Sequence, residues 1–141
     1  KNETDLELAL RYAAEEYDDD IFIFAALGGR LDQMMGNIHL LTHPGLHGRA
    51  VRLVTRYQLA WLLQAGRNQI NGRFHDTLSL IPLNGDAKIS ETSGLEWPLH
   101  NEWLRFGATR GISNRLTAVN PTITLEKGTL LCVHTQKEWT R

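Results

Sequence analysis

The sequence of 141 residues contains only one cysteine, Cys132. A single thiol cannot close an internal disulfide or build a cysteine-rich zinc site, and its apolar neighbours predict a small buried hydrophobe. No apolar run approaches the roughly 20 residues of a membrane-spanning helix, and the first residues do not have the layout of a signal peptide. We therefore expect a cytoplasmic chain without a membrane partner.

An excess of charge is also lacking, since 15 Lys and Arg residues stand against 16 Asp and Glu residues. Non-specific affinity for nucleic acid comes from clustered cationic side chains, so this balance argues against a nucleic-acid partner. The apolar content of 42% and the charged content of 22% are typical of a globular chain and exclude disorder. The length permits one ordinary domain, or a small domain with a piece of another.

A helix is predicted at the start of the chain. Thr4 is a suitable N-cap because its hydroxyl can accept a hydrogen bond from an unpaired backbone N–H, and Glu7 completes a capping box. Apolar residues then recur at three- and four-residue steps as far as the acidic residues 18–20. This spacing predicts one amphipathic helix.

The next segments alternate between strand and helix patterns. Residues 21–26 form an apolar run typical of a strand that is covered on both faces in a parallel sheet. Helical spacing returns over residues 31–41, and residues 50–55 predict a second strand. Parallel sheets usually have about five strands, so we expect residues 1–56 to be a remnant of an α/β, nucleotide-binding parallel-sheet domain.

From about residue 57 the pattern changes to short β-type runs, punctuated by seven glycines between residues 66 and 128. The later runs include four segments, at 77–83, 87–92, 122–127 and 129–135. Many short strands with regular turn signals predict a β-sandwich or barrel. Residues 57–141 are therefore predicted to form an all-β sandwich domain.

Two charged residues follow the first predicted strand and its paired-glycine turn. Arg30 and Asp32 lie where open α/β sheets bind ligands. Arg30 offers a planar fork for phosphate oxygens, and Asp32 offers a carboxylate for a metal, a hydroxyl or an ammonium. Both could equally serve only the start of a helix, as could Asp5 in the first turn of the first helix. Spacing alone leaves these alternatives open.

The histidines and the aromatic residues give further candidates. Three histidines are spaced by four: His39, His43 and His47. Pro44 ends the helical pattern before the last of them, and no HExxH arrangement is present, so a histidine metal site is not favoured. Residues 93–114 combine Trp97 and Trp103 with many Gly, Ser, Thr and Asn residues, which favours a loop surface over a plain strand core.

Several segments, taken in order, carry a likeness to one enzyme family. They are TDLELAL at 4–10, AALGGRLDQ at 25–33, SLIPLNGDAKISETSGLEWPL at 79–99 and LRFGATRGISN at 104–114. These segments resemble the thiamine pyrophosphokinases, which transfer a pyrophosphoryl group from ATP to thiamine. The resemblance implies an α/β domain that binds ATP and a β-sandwich that helps to bind thiamine. It also implies a homodimer in which the thiamine site is shared between subunits.

The resemblance assigns five residues of the first domain to the ATP side. Asp5 of the TD motif would hold Mg2+ against the nucleotide phosphates, and Asp32 would orient or help to activate the thiamine hydroxyl or the metal. Arg30 would steady phosphate oxygens, while Thr4 and Gln33 would contact the nucleotide. Gln33 stands where many relatives have His, which removes a possible proton carrier. Asp5, Arg30 and Asp32 are thereby implied to be catalytic.

The resemblance assigns three residues of the second domain to thiamine. Trp97 matches the tryptophan of the GLxW motif and would be the platform for the rings of thiamine, while Ser113 and Asn114 would hydrogen-bond the aminopyrimidine. A cationic thiazolium and a flat pyrimidine are both attracted to an indole face. The implied reaction is in-line attack by the hydroxyl of thiamine on the β-phosphorus of ATP, which releases AMP.

One feature of the family is missing from the sequence. The upstream GDFDS-type acidic motif and the glycine-rich segment before it are absent, so the chain resembles a C-terminal portion of the enzyme that is expected to be inactive or weakly active alone. A non-catalytic thiamine-binding or dimerisation module is the alternative. A relative acting on another hydroxymethyl-pyrimidine or pterin-like alcohol is a third reading, against which the set of Trp97, Ser113 and Asn114 favours thiamine.

Overall fold

The computed structural model describes residues 2–139, the last of them by its backbone only. Two units are present, Lys1–Arg56 and Tyr57–Arg141, and each is described by itself. In the part of the chain that the structure describes, β-strand residues outnumber helical residues. Within residues 2–139 no helix has the length and apolar character needed to cross a membrane.

The first unit contains two helices and two strands. In chain order they are α1 (Asp5–Glu16), β1 (Ile21–Phe24), α2 (Leu31–Leu40), a 3₁₀ turn (Pro44–Leu46) and β2 (Val51–Val54). β1 and β2 pair in parallel, with Ile21 opposite Val51 and Phe24 opposite Val54. The predicted order of helix, strand, helix and strand is confirmed.

Local hydrogen bonds explain where α1 begins. The Thr4 hydroxyl accepts from the backbone N–H of Glu7 at 3.2 Å, which confirms the predicted cap. The Glu7 carboxylate lies 3.6 Å from Nε2 of His43, and Nδ1 of the same ring accepts from the N–H of Gly45 at 3.0 Å. His43 therefore links the first turn of α1 to the 3₁₀ turn.

The first strand is shorter and less covered than the sequence predicts. Ile23 is only 6% exposed, but Phe22 and Phe24 on the opposite face are 48% and 69% exposed. The prediction of a strand covered on both faces is therefore wrong, because the face of β1 that carries Phe22 and Phe24 is largely exposed among the described residues. The strand ends at Phe24 because Ala25 takes a φ of 58°, which leaves the extended region.

The second unit is built from antiparallel strands. They are β3 (Gln58–Leu62), β4 (Gly66–Gln69), β5 (Thr77–Ser93), β6 (His100–Leu104), β7 (Asn114–Arg115) and β8 (Thr122–Thr135), followed by a 3₁₀ turn (Lys137–Trp139). β5 and β8 pair with each other along their length, β3 and β4 pair with β8, and β6 and β7 pair with β5. The prediction of an all-β second half is confirmed.

Two of the predicted boundaries between strands are wrong. The runs at 77–83 and 87–92 belong to the single strand β5, and the runs at 122–127 and 129–135 belong to β8. Their pairing shifts register between Leu83 and Glu91. A Cβ on Gly128, whose φ is 91°, would lie 2.6 Å from the carbonyl oxygen of Asp86. Glycine is required here for a bulge inside a continuous ladder and not for a turn.

The core of the second unit is one apolar cluster to which both ends of the long strands contribute. Leu78 and Ile89 of β5 are completely buried, as are Ile123 and Cys132 of β8. Burial raises the pKa of the Cys132 thiol far above its usual range, because the charged thiolate is disfavoured away from water. The prediction that Cys132 is a buried hydrophobe is confirmed.

Candidate functional site

The loop between β1 and α2 holds the paired glycines of the sequence. Gly28 and Gly29 have φ values of 132° and 81°, which are open to glycine at little cost. The Asn37 side chain donates from Nδ2 to the carbonyl oxygen of Ala26 at 2.8 Å, so that α2 fixes the preceding loop. This geometry delivers Arg30 to the N-cap position of α2.

Arg30 and Asp32 form a two-point ion pair on the surface. Nε of Arg30 donates to Oδ1 of Asp32 at 3.1 Å, and Nη2 donates to Oδ2 at 2.5 Å. The Arg30 guanidinium, helped by the backbone N–H of Gln33 at 2.9 Å, holds the pKa of Asp32 below its usual range. The same contact raises the pKa of Arg30. Both groups are therefore charged, and each neutralises the other.

The remaining candidates of the first unit are also exposed. Asp5 is the first residue of α1, beside Thr4, whose hydroxyl is engaged in the helix cap. Gln33 lies in the first turn of α2. In the part of the chain that the structure describes, no three His, Cys, Asp or Glu side chains are placed to share a metal ion. The described residues thus offer carboxylates but no complete metal site.

A shallow cavity in the second unit brings together the three residues that the family resemblance assigns to thiamine. The cavity has a volume of about 250 Å³ and is lined by Trp97, Arg110, Ile112, Ser113 and Asn114. We call it the Trp97 cavity. Trp97 is 47% exposed, so its indole is not a core side chain and is open to a ligand.

Asn114 fixes the backbone that carries the indole. Its Oδ1 accepts from the backbone N–H of Trp97 at 3.1 Å and from the backbone N–H of Arg115 at 2.8 Å. Its Nδ2 donates to the carbonyl oxygen of Trp97 at 2.6 Å. Because the Asn114 side chain is buried and holds both polar backbone groups of Trp97, it acts as a positioning group for the indole.

The loop over residues 110–113 lies directly on strand β5. The backbone N–H of Leu80 donates to the carbonyl oxygen of Gly111 at 2.8 Å. A Cβ on Gly111 would overlap the carbonyl oxygen of Leu80, so only glycine allows this approach. Ser113 has a φ of 60°, which is unusual for a residue with a side chain, and its N–H donates to Oγ of Ser79 at 3.0 Å. Close packing thus shapes the cavity wall.

Two arginines beside the Trp97 cavity are each paired with a glutamate. Arg110 donates to Glu102 from Nε at 2.9 Å and from Nη2 at 3.4 Å. The guanidinium carbon of Arg115 lies 5.9 Å from the centroid of the Trp97 ring, and Nη1 of Arg115 lies 3.1 Å from Glu96. The cavity is therefore bordered by cations whose charge is compensated.

Sequence reasoning did not single out two of the cavity residues, Arg110 and Ile112. Both belong to the RGISN motif that led to Ser113 and Asn114, so the motif itself was the available signal. The pairing of Arg110 with Glu102 depends on how the loop returns to β6, and nothing in the local pattern shows it.

Comparison with known proteins gives a consistent assignment. The model of the thiamin pyrophosphokinase catalytic domain matches residues 1–54, and the model of the vitamin B1 binding domain of the same enzyme matches residues 67–130. A thiamine pyrophosphokinase of Bacillus subtilis (strain 168) is 34% identical over 137 residues, which cover 94% of this chain and 63% of that protein.

Solved structures agree with the sequence matches. The crystal structure of thiamine pyrophosphokinase from Bacillus subtilis has a TM-score of 0.89 and 32% identity, over 96% of this chain and 64% of that one. The enzyme from Geobacillus thermodenitrificans has a TM-score of 0.85 and 29% identity, over 96% and 63%. The chain spans less than two thirds of the length of these relatives. By domain matches, sequence identity and fold, it belongs to the thiamine pyrophosphokinase family.

Proposed function

We propose that this chain is the C-terminal portion of an enzyme that transfers pyrophosphate from ATP to the hydroxyl of thiamine, giving thiamine diphosphate and AMP. The observation that carries the proposal is the Trp97 cavity, which combines a half-exposed indole with polar groups inside the region matched by the vitamin B1 binding model. A flat, cationic, hydrogen-bonding ligand fits this combination.

Thiamine binds at the Trp97 cavity in this proposal. The indole of Trp97 stacks on a ring of thiamine, with a cation–π contribution of about 0.5 to 2 kcal/mol. Ser113 presents an exposed hydroxyl to the aminopyrimidine, and the second amide hydrogen of Asn114 completes the polar contacts. The proposal takes the surrounding domain, residues 57–141, to be a β-sandwich, and it is supported by the single apolar core to which both halves of the β5–β8 ladder contribute.

ATP binds to residues 1–56, the C-terminal part of a nucleotide-binding α/β domain in this proposal. The Arg30 guanidinium gives up its hydrogen bonds to Asp32 and donates instead to phosphate oxygens, which match its planar set of N–H groups. Thr4 contacts the nucleotide from the N-cap position of α1, and Gln33 from the first turn of α2. Helix N-termini favour anionic groups, so these positions are suitable for phosphates.

Magnesium is the metal expected with ATP. Asp5 and Asp32 supply the hard carboxylate oxygens that Mg2+ prefers, but the described residues do not join them to a third acidic side chain. These two residues are therefore proposed as part of a Mg2+ site that is not complete within residues 2–139. When bound, the ion would neutralise phosphate charge.

The transfer depends mainly on position and charge. The hydroxyl oxygen of thiamine forms a bond to the β-phosphorus as the bond from that phosphorus to the AMP oxygen breaks. Once Arg30 has moved to the phosphate oxygens, the Asp32 carboxylate is available to orient the hydroxyl and to accept its proton as the new bond forms. Arg30 stabilises the charge that develops on the phosphate oxygens.

The proposal includes the assembly and the location of the enzyme. A homodimer shares each thiamine site between the first domain of one subunit and the second domain of the other, and the enzyme is cytoplasmic. The dimer derives from the family resemblance, and the single buried cysteine, which is compatible with a reducing compartment, supports the cytoplasmic location.

A second function is a non-catalytic thiamine-binding or dimerisation module. One observation favours it for this chain: the Trp97 cavity is intact, whereas the described residues contain no group of three His, Cys, Asp or Glu side chains placed to hold a metal ion. Such a module would bind thiamine without turning it over.

The two functions are distinguished by incubation with Mg-ATP and thiamine, followed by detection of AMP and thiamine diphosphate. We expect little or no product from the 141-residue chain and clear turnover from a version extended upstream to restore the family's acidic motif. Absence of product from both would contradict the kinase function, and thiamine binding without product would favour the module.

Replacement of Trp97 by alanine is expected to weaken thiamine binding by about tenfold, because the stacking surface is lost. Titration calorimetry on the chain measures this effect. Trp103→Ala is the matched control, since Trp103 is 39% exposed but does not line the Trp97 cavity. Equal affinities for the Trp97 variant and the original chain would remove this residue from the site.

A further inference from the structure

The Trp97 cavity has an electrostatic difficulty if its ligand is a cation. Arg110 lies in the cavity wall, and a guanidinium repels a positively charged ligand. A second guanidinium, that of Arg115, stands near the face of the Trp97 ring. Without compensation, this wall would select neutral or anionic aromatic compounds.

The compensation for Arg110 comes from Glu102, which does not line the cavity. Glu102 belongs to β6, where it stands opposite Ile89 of β5, so the strand pairing fixes its position. Its carboxylate accepts two hydrogen bonds from Arg110, and its side chain is 33% exposed, less than the 48% of its partner. Such a two-point pair has a defined geometry as well as a charge.

We infer that Glu102 is a specificity-determining residue for the ligand of the Trp97 cavity. It cancels the charge of Arg110 and so allows the cavity to take a cationic heterocycle. The inference rests on the proposed function, which supplies thiamine as that cation. Glu102 acts through Arg110 and is therefore a positioning and charge-balancing group, not a catalytic residue.

The charges determine whether each substitution raises or lowers the affinity for a cationic ligand. Glu102→Gln keeps a side-chain oxygen that can accept from Arg110 but removes the negative charge, so the net charge beside the ligand rises by one. Two unit charges a few ångströms apart at a wet surface interact by an amount equivalent to about a fivefold to tenfold change in affinity. Arg110→Gln leaves the negative charge of Glu102 without a partner, so it should raise the affinity for a cationic ligand.

The test compares two ligands of the same shape by titration calorimetry on the chain. Thiamine carries the positive thiazolium, and deazathiamine carries an uncharged thiophene ring in its place. We expect Glu102→Gln to weaken thiamine binding by about fivefold to tenfold with less than about a twofold effect on deazathiamine. Arg110→Gln should strengthen thiamine binding several-fold relative to deazathiamine, and the double variant should return near the original affinity.

The matched control is Glu126→Gln, which removes a glutamate charge from another surface pair, that with Lys88 at 3.5 Å. This variant should change neither affinity. A Glu102→Gln variant that weakens both ligands equally, or leaves thiamine unchanged, overturns the inference while the proposed function stands. If Glu102→Gln does not fold, Arg110→Gln tests the inference alone: stronger thiamine binding relative to deazathiamine supports it, and weaker or unchanged relative binding overturns it. Failure of the original chain to bind thiamine overturns the thiamine assignment and this inference together.

Discussion

Replacement of Asp76 by alanine is expected to destabilise the second unit by about 3 to 5 kcal/mol, the range for removing one partner of a buried charged network. Asp76 is 2% exposed. Its Oδ2 accepts from the N–H of Arg73 at 2.9 Å and contacts Nε2 of His134 at 2.8 Å, while Oδ1 accepts from the N–H of Lys137 at 2.9 Å. Alanine would leave these donors without their acceptor.

The contribution of Asp76 also depends on pH. Burial raises the pKa of Asp76, but the hydrogen bonds from Arg73, His134 and Lys137 outweigh this effect and leave the pKa below its usual range. A carboxyl with a lowered pKa in the folded state stabilises above its unfolded pKa, and this stability is lost as the pH falls through the folded pKa. The difference between the original chain and Asp76→Ala should therefore shrink in strongly acidic solution.

Chemical denaturation from neutral to strongly acidic pH measures both effects. Asp86→Ala is a suitable control, because Asp86 also accepts from an arginine, Arg105 at 2.7 Å, and from a backbone N–H, that of Phe106 at 2.8 Å, but is exposed. We expect it to cost no more than about 1 kcal/mol. Equal losses of unfolding free energy in the two variants would contradict the prediction that burial makes the Asp76 contacts the more stabilising ones.

Replacement of Gly111 by alanine is expected to displace the loop that carries Ser113 and Asn114. The added Cβ would overlap the carbonyl oxygen of Leu80, which is backbone of β5 and cannot turn aside as a side chain can. The loop must move, and the hydrogen bond from the Leu80 N–H to Gly111 is strained or lost. We expect a loss of about 2 to 3 kcal/mol in stability and more than tenfold in thiamine affinity.

Thermal unfolding and titration calorimetry, applied to the same preparation, measure these two losses. Gly36→Ala is the control, since a Cβ at this position inside α2 meets nothing within 4 Å. Alanine favours a helix, so this variant should be neutral or slightly more stable. A Gly111→Ala variant that keeps both its stability and its affinity would show that the loop tolerates a side chain there.

Local patterns were sufficient for the helices and for much of the candidate site. The cap at Thr4 and the spacing after Leu31 are short-range signals, and they predicted α1 and α2 because a helix is held together by neighbours in sequence. The family motifs likewise led to Trp97, Ser113 and Asn114, which share one cavity.

Long-range features could not be read in the same way. A glycine between two β-type runs has the same local pattern in a turn and in a bulge, so Gly85 and Gly128 were interpreted as turns. The contact of Asp76 with His134 joins residues 58 positions apart, and the pair of Glu102 with Arg110 depends on a loop returning to β6. Whether the Phe22 and Phe24 side chains are buried or exposed depends on which elements pack against β1, and a strand pattern does not identify those elements.

The two long bulged strands have a consequence for how the second unit forms. Ser93 of β5 pairs with Thr122 of β8, and Thr77 pairs with Thr135, so each further rung of this ladder closes a longer loop. The first rung to form at the Ser93 end must close the shortest of these loops, and every contact after it joins residues still farther apart in the sequence. This topology implies slow folding, because the contacts of the ladder join residues that are distant in the sequence.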